Sequence, residues 1–301
     1  MDAFYIILTA SLFSIACGTL GCFLILRKMA MVGDAISHAV LPGIVLAFLL
    51  SGSRDPLVMI AGAGLLGVFT SFLIEFFHKK ARLQTDAAIG VTFTWLFALG
   101  VILISVYAGQ VDLDQDCVLY GEIAYVPIDL WITGSGVNMG PRALYIAIFL
   151  LIILAVFLWL GYPYLHLTTF DPDFAATIGI SVGLWHYLLM GAVSMTTVSA
   201  FESVGAILVV ALFVVPPATA YLLTNKLKVM LLISAILSVI ISILGYYLAV
   251  AIDGSIAGAI VSVAGLFFAI AFLFSPTDGV ISKRIKTSKS AMQIKEELSE
   301  R

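Results

Sequence analysis

Residues 33 to 43 read Gly33-Asp34-Ala35-Ile36-Ser37-His38-Ala39-Val40-Leu41-Pro42-Gly43 and open into the apolar run Ile44 to Leu50. An acid and an imidazole are carried into a hydrophobic segment. On a helix Asp34 and His38 stand four apart, so their side chains share one face, one turn above the other. A carboxylate oxygen and an imidazole nitrogen can then meet a single ion. Inside a membrane such a group costs roughly 2.5–3.5 kcal/mol or more, so it normally faces a cavity, a partner or a transported species. Two readings are open at this point. Asp34 can cap the helix while His38 is a hydrogen-bonded core histidine, or the pair can form a cation site. Pro42-Gly43, able to kink a helix and open its backbone, adds weight to the second.

The elements that carry this pair are membrane spans. Of 301 residues 62% are hydrophobic and 11% charged, with a mean hydropathy of +1.14. A soluble domain of this composition could not cover its surface, so the fold expected is an all-α polytopic membrane protein. About 20 apolar residues cross the hydrocarbon core, and nine segments qualify, near 3–26, 34–51, 56–77, 87–108, 142–161, 179–200, 204–224, 229–252 and 256–275. The sixth and seventh run together through Glu202, so eight or nine transmembrane helices are expected. With the N-terminus outside, thirteen Lys and Arg fall on inner segments (Arg27, Lys28, Lys79, Lys80, Arg82, Lys226, Lys228 and the six from Lys283 onward) and two, Arg54 and Arg142, on outer ones. That asymmetry selects nine spans, N-terminus out and C-terminus cytoplasmic. The start Met1-Asp2-Ala3 has no basic region and leads into a full span, so a cleavable signal is not expected. Cys17 and Cys22 lie on different faces of the first span and Cys117 in an outer loop; they read as apolar fillers and a free thiol.

Small residues mark packing seams: Gly18 and Gly21 in the first span, Gly62, Gly64 and Gly67 in the third, and Gly254 and Gly258 opening the last. His78 sits in a basic, solvated anchor. The outer segment Gln110 to Pro127 holds Asp112, Asp114, Asp116 and Glu122 without a base. Its alternating acids lack the spacing of a calcium loop, leaving a solvated face or an entrance funnel for a cation, with a short surface helix near Cys117 to Ile123. On the inner side, Asp171 is an N-cap candidate, Pro172 suits the first helical position and Gly179 a stop, which predicts a short helix. This inner loop has no Lys or Arg, so it is free to dock into another protein. Pro216-Pro217 predicts a kink, and Glu202 is a candidate second ligand or gate. The tail from Ser275 mixes Lys and Glu and reads as solvated.

No GxxxxGK[ST], GxSxG or HExxH pattern occurs, which removes the common nucleotide, hydrolase and zinc-protease signatures and leaves a transporter or channel subunit rather than an enzyme. The block Gly33 to Gly43 closely resembles the signature of the ABC-type manganese/zinc/iron importer permeases. Leu119-Tyr120-Gly121-Glu122-Ile123, Phe170-Asp171-Pro172-Asp173-Phe174-Ala175 and Gly205 to Ala220 resemble three further family blocks in the expected order, so the likeness runs from about residue 4 to 286. It implies a permease domain over 1–286 with a cytoplasmic tail at 287–301, a fold similar to type II ABC importers, and a site in the bacterial cytoplasmic membrane. It also implies partners: a second permease chain, identical or related, two cytoplasmic ATPase subunits and an extracytoplasmic metal-binding protein, with no nucleic acid. Asp34 and His38 match the family's metal-pathway pair, and Asp171, Pro172, Asp173, Phe174 and Ala175 its ATPase-coupling helix. Two copies of the pair across a dimer axis would offer two oxygens and two nitrogens, suited to Mn, Zn or Fe, with Mn foremost and no resident cofactor. A stand-alone proton-coupled carrier for divalent metals, titrating Asp34 and Glu202, is the alternative. Hydropathy puts Asp34 near the cytoplasmic end of the second span, so either the helix starts deeper than its apolar boundary or the pair is an inner gate.

Overall fold

The computed structural model describes residues 2–52, 56–107, 123–132, 138–275 and 279. A long apolar segment in lipid must satisfy its own backbone, and helix is the local solution. Among the described residues nine helices of 18 to 29 residues form: α1 (Asp2–Leu26), α2 (Val32–Ser51), α3 (Pro56–Lys80), α4 (Thr85–Tyr107), α5 (Arg142–Phe170), α7 (Val182–Val204), α8 (Ala206–Leu223), α9 (Leu227–Ile252) and α10 (Ile256–Phe274), with a short α6 (Pro172–Thr177). Eight are apolar enough to cross a membrane. The ninth, α7, dilutes its apolar residues with Ser194, Thr196, Thr197 and Ser199, which are buried inside the bundle. Its 23 residues still run about 34 Å at 1.5 Å per residue. The sixth and seventh expected segments are therefore separate helices, parted at Gly205, whose φ of 83° and ψ of 159° only glycine adopts readily.

α1 is the central helix, with Phe13, Leu20, Phe23 and Leu24 fully buried, and it packs on α5, α7, α8 and α9. α2 packs on α3, α4 and α7, so α7 joins the two groups. A close backbone approach is set by chemistry in α8. Pro217 cannot donate to the carbonyl of Phe213, and that oxygen lies where a Cβ on Gly21 would stand, with Pro217 Cγ 2.8 Å from the same point. The double proline thus appears as a contact surface within a continuous helix. On the other side of the bundle a Cβ on Gly43 would meet the Gly62 carbonyl at 2.8 Å. The glycine seams of the first and third spans are bundle contacts, as expected. Those opening the last span are not: a Cβ on Gly258 would meet only Ser255, which caps α10 by accepting from the Gly258 N–H at 3.3 Å.

Just before α5, β1 (Leu130–Ile132) pairs antiparallel with β2 (Asn138–Pro141), Leu130 facing Pro141. No sequence alternation announced this ribbon. The acidic segment with Asp112, Asp114, Asp116, Cys117 and Glu122, and the tail 287–301, lie outside the described residues.

Candidate functional site

α1 ends at a left-handed residue, Lys28 (φ 58°), and the Met29 N–H returns to the Leu24 carbonyl at 2.8 Å. This is the Schellman closure, and it turns the chain within a few residues into α2. α2 begins at Val32, two residues ahead of its apolar boundary, with Met31 as N-cap and no side-chain cap bond. Asp34 therefore sits in the first turn and does not cap. Its charge there complements the positive end of the helix dipole.

His38 Nε2 stands 3.5 Å from Asp34 Oδ1, and both side chains are about 30% exposed. Bonds of about 2.1 Å put two ligands of one tetrahedral ion about 3.4 Å apart, so the spacing suits a shared cation. The imidazole leans on two rings of α4, Phe93 at 5.3 Å and Phe97 at 6.0 Å between centroids. Below the pair, the Ser37 hydroxyl donates to the Gly33 and Asp34 carbonyls at 2.9 and 3.0 Å and is buried. Among the described residues no group of three or more His, Cys, Asp or Glu assembles. Glu202 falls in the last turn of α7.

The loop after α5 folds as its sequence predicts. Asp171 caps α6 by accepting from the Phe174 N–H at 3.0 Å, Pro172 opens the helix, and Gly179 takes φ 83°. Asp173 and Phe174 are exposed, Phe174 by 51%. Ala175 is fully buried, and its carbonyl accepts from the Ile180 N–H at 3.0 Å. It seats the helix and cannot itself meet a partner.

One polar cluster went unnoticed in the sequence. Arg27, from the α1–α2 turn, donates through Nε to Thr169 Oγ1 at 3.1 Å and through Nη2 to Thr168 Oγ1 at 3.0 Å, and its Nη1 lies 3.4 Å from His186 Nδ1. Burial pushes its guanidinium down to about 10, so it stays charged at neutral pH. His186 Nε2 is 3.9 Å from Glu75 Oε2, while Glu75 Oε1 pairs with Lys79. Arg27, Glu75, His78, Lys79, Thr168 and His186 line a cavity of about 360 Å³. His78 itself is exposed, as expected, with Nδ1 2.8 Å from the Leu83 carbonyl. The available signal was Glu75, an acid inside an apolar span, which by default asks for a partner. Cys17 and Cys22 are buried and free, in keeping with their reading as fillers.

Nine long helices, eight of them apolar enough to cross a membrane, define a polytopic membrane bundle. Residues 3–275 match the model of the ABC 3 transport family, and the chain belongs to that family. It is 48% identical over 283 residues to the manganese transport system membrane protein MntD of Bacillus subtilis (strain 168), covering 94% of this chain and 95% of that one. To the zinc transport system membrane protein TroD of Treponema pallidum (strain Nichols) it is 44% identical, over 92% of this chain and 75% of the other. Among solved structures, PsaBC from Streptococcus pneumoniae in complex with Fab superposes with a TM-score of 0.75 at 32% identity, covering 94% of each chain. The protein is thus a membrane permease of the ABC 3 transport family.

Proposed function

We propose that this chain carries a divalent transition metal, Mn foremost with Zn and Fe as alternatives, past Asp34 and His38 in an importer driven by ATP. The observation that carries this reading is the 3.5 Å spacing of one carboxylate oxygen and one imidazole nitrogen, partly exposed on α2. Among residues so apolar, a doubly charged ion compensates the acid better than a neighbouring dipole. The oxygen and nitrogen donors favour Mn, Fe or Zn. A second permease chain, a copy or a relative, would complete the coordination with its own pair. In this reading the metal is cargo, and no resident cofactor takes part.

ATP is hydrolysed on two separate cytoplasmic subunits, which grip α6 through Asp173 and Phe174 while Asp171, Pro172 and Ala175 hold its shape. An extracytoplasmic metal-binding protein delivers the ion at the end that carries the β1–β2 ribbon. The positions of Lys and Arg support the N-terminus outside and the basic end in the cytoplasm of a bacterial cell. The test is uptake of Mn, Zn and Fe in competition by the reconstituted complex, with and without ATP and the delivery protein. ATP-dependent uptake that saturates with one metal is the expected result. Uptake by this chain alone without ATP would instead establish a carrier, in which Asp34 and Glu202 titrate.

A further inference from the structure

α5 ends at Phe170, and α6 follows it through the single residue Asp171. The last residues of α5, Thr168 and Thr169, are held by one side chain from elsewhere in the fold, the guanidinium of Arg27. Arg27 in turn begins the five-residue connection from Leu26 to Val32, and Asp34 is in the first turn of the helix that follows. The α6 base and the Asp34 helix are therefore two short, stiff steps apart, and Arg27 is the joint.

The joint continues into the bundle. A guanidinium has donors only, so His186 Nδ1 accepts from it, and the neutral ring carries its proton on Nε2. That proton faces Glu75 Oε2 across 3.9 Å. Both atoms are buried without a hydrogen-bond partner, although the Tyr187 hydroxyl also stands against the Glu75 carboxylate. The chain Arg27, His186, Glu75, Lys79 is complete except at this one link, which a shift of about 1 Å closes, given a normal bond near 2.9 Å. A packed bundle with one nearly made bond has two discrete arrangements at hand.

We propose that Arg27 is a positioning residue of the transport cycle, transmitting displacement of α6 to the α1–α2 turn and so to Asp34 and His38, with the His186–Glu75 link closing in one of the two states. This rests on the coupling role proposed above for α6. The fork shape matters: Thr168, Thr169 and His186 are met by three different nitrogens, which a lysine cannot reproduce.

The test uses the complete complex in liposomes, measuring Mn uptake and ATP hydrolysis in the same vesicles. Arg27→Ala, and separately the near-isosteric double change Thr168→Val with Thr169→Val, should lower metal imported per ATP roughly 5- to 150-fold, the span of ordinary coupling energies. Basal ATP hydrolysis and assembly should remain. Arg27→Lys should fall between. A part in folding alone would lower uptake and hydrolysis in step and leave their ratio untouched, so an unchanged ratio in the double variant overturns the inference even if Arg27→Ala fails to assemble. Wild-type vesicles importing without ATP overturn the coupled reading beneath it, whereas normal coupling in both variants, beside a coupled wild type, overturns this inference alone.

Discussion

His38 Nε2 and Asp34 Oδ1 face each other at 3.5 Å, one helical turn apart, while Phe93 of α4 lies 5.3 Å from the imidazole on its other side. Both side chains come from α2, while rings of α4 pack against the imidazole. In the proposed reading, a passing dication would be met by this oxygen and nitrogen together.

Asp34→Ala and His38→Ala should each lower metal uptake by more than about tenfold, since even residues that only support a metal ligand commonly cost 10- to 100-fold. Asp34→Asn, which keeps the shape and loses the charge, should lose nearly as much. The complex should still assemble, because both side chains are partly exposed and fill no core. Radiolabelled Mn uptake beside size-exclusion of the purified complex checks both halves. Full uptake by either alanine variant would return the pair to ordinary packing.

Asp173→Arg should leave membrane insertion intact and raise the ATP consumed per metal imported, because Asp173 is exposed on α6 and reverses its charge toward whatever holds the helix. Phe174→Ala should act in the same direction by removing an apolar anchor that is 51% exposed. Ala175→Glu belongs to another class. It forces a carboxylate into a fully buried position, and should reduce the amount of folded protein rather than its coupling. ATP hydrolysis and yield, measured together, separate the two behaviours.

Much of this was legible in the chain. The spans followed from apolar length, α6 from Asp171-Pro172 before a short run, and the Asp34–His38 pair from two ionisable residues four apart where none is cheap. What could not be read depends on neighbours distant in sequence. Glu75 and His186 are separated by over a hundred residues, and no periodicity pairs them. Ala175 looks like any exposed small residue until the Ile180 N–H closes over it. The Gly254 and Gly258 pattern matched a helix-packing motif, yet the glycines contact their own turn. The break between α7 and α8 hangs on one backbone angle at Gly205 that composition does not encode.

Gly21→Leu should be among the most damaging changes in the bundle. Its side chain would occupy the place of the Phe213 carbonyl oxygen and crowd Pro217. Neither can yield easily, since one is backbone and the other a ring within α8. Overpacking costs typically about 1–3 kcal/mol and more when backbone must move. Lower melting temperature in detergent and poor recovery from membranes are expected, with Gly21→Ala milder but in the same direction.

Phe93→Ala should separate the placing of His38 from its chemistry. The ring contributes no ligand atom; it limits the rotamers from which the imidazole reaches Asp34. Removing it leaves both donors present but adds conformations that must be lost when the ion binds, a cost of about 0.5–1.5 kcal/mol per immobilised side chain. That corresponds to a rise in apparent KM for metal of roughly two- to tenfold at RT near 0.6 kcal/mol. Maximal uptake rate should hold close to wild type, because the path and the coupling helix are untouched. Phe93→Leu, which keeps an apolar wall, should recover most of the affinity. Should Phe93→Ala instead lower the maximal rate at unchanged KM, Phe93 acts on a later step than capture, and Asp34 and Phe97 suffice to hold His38 in place.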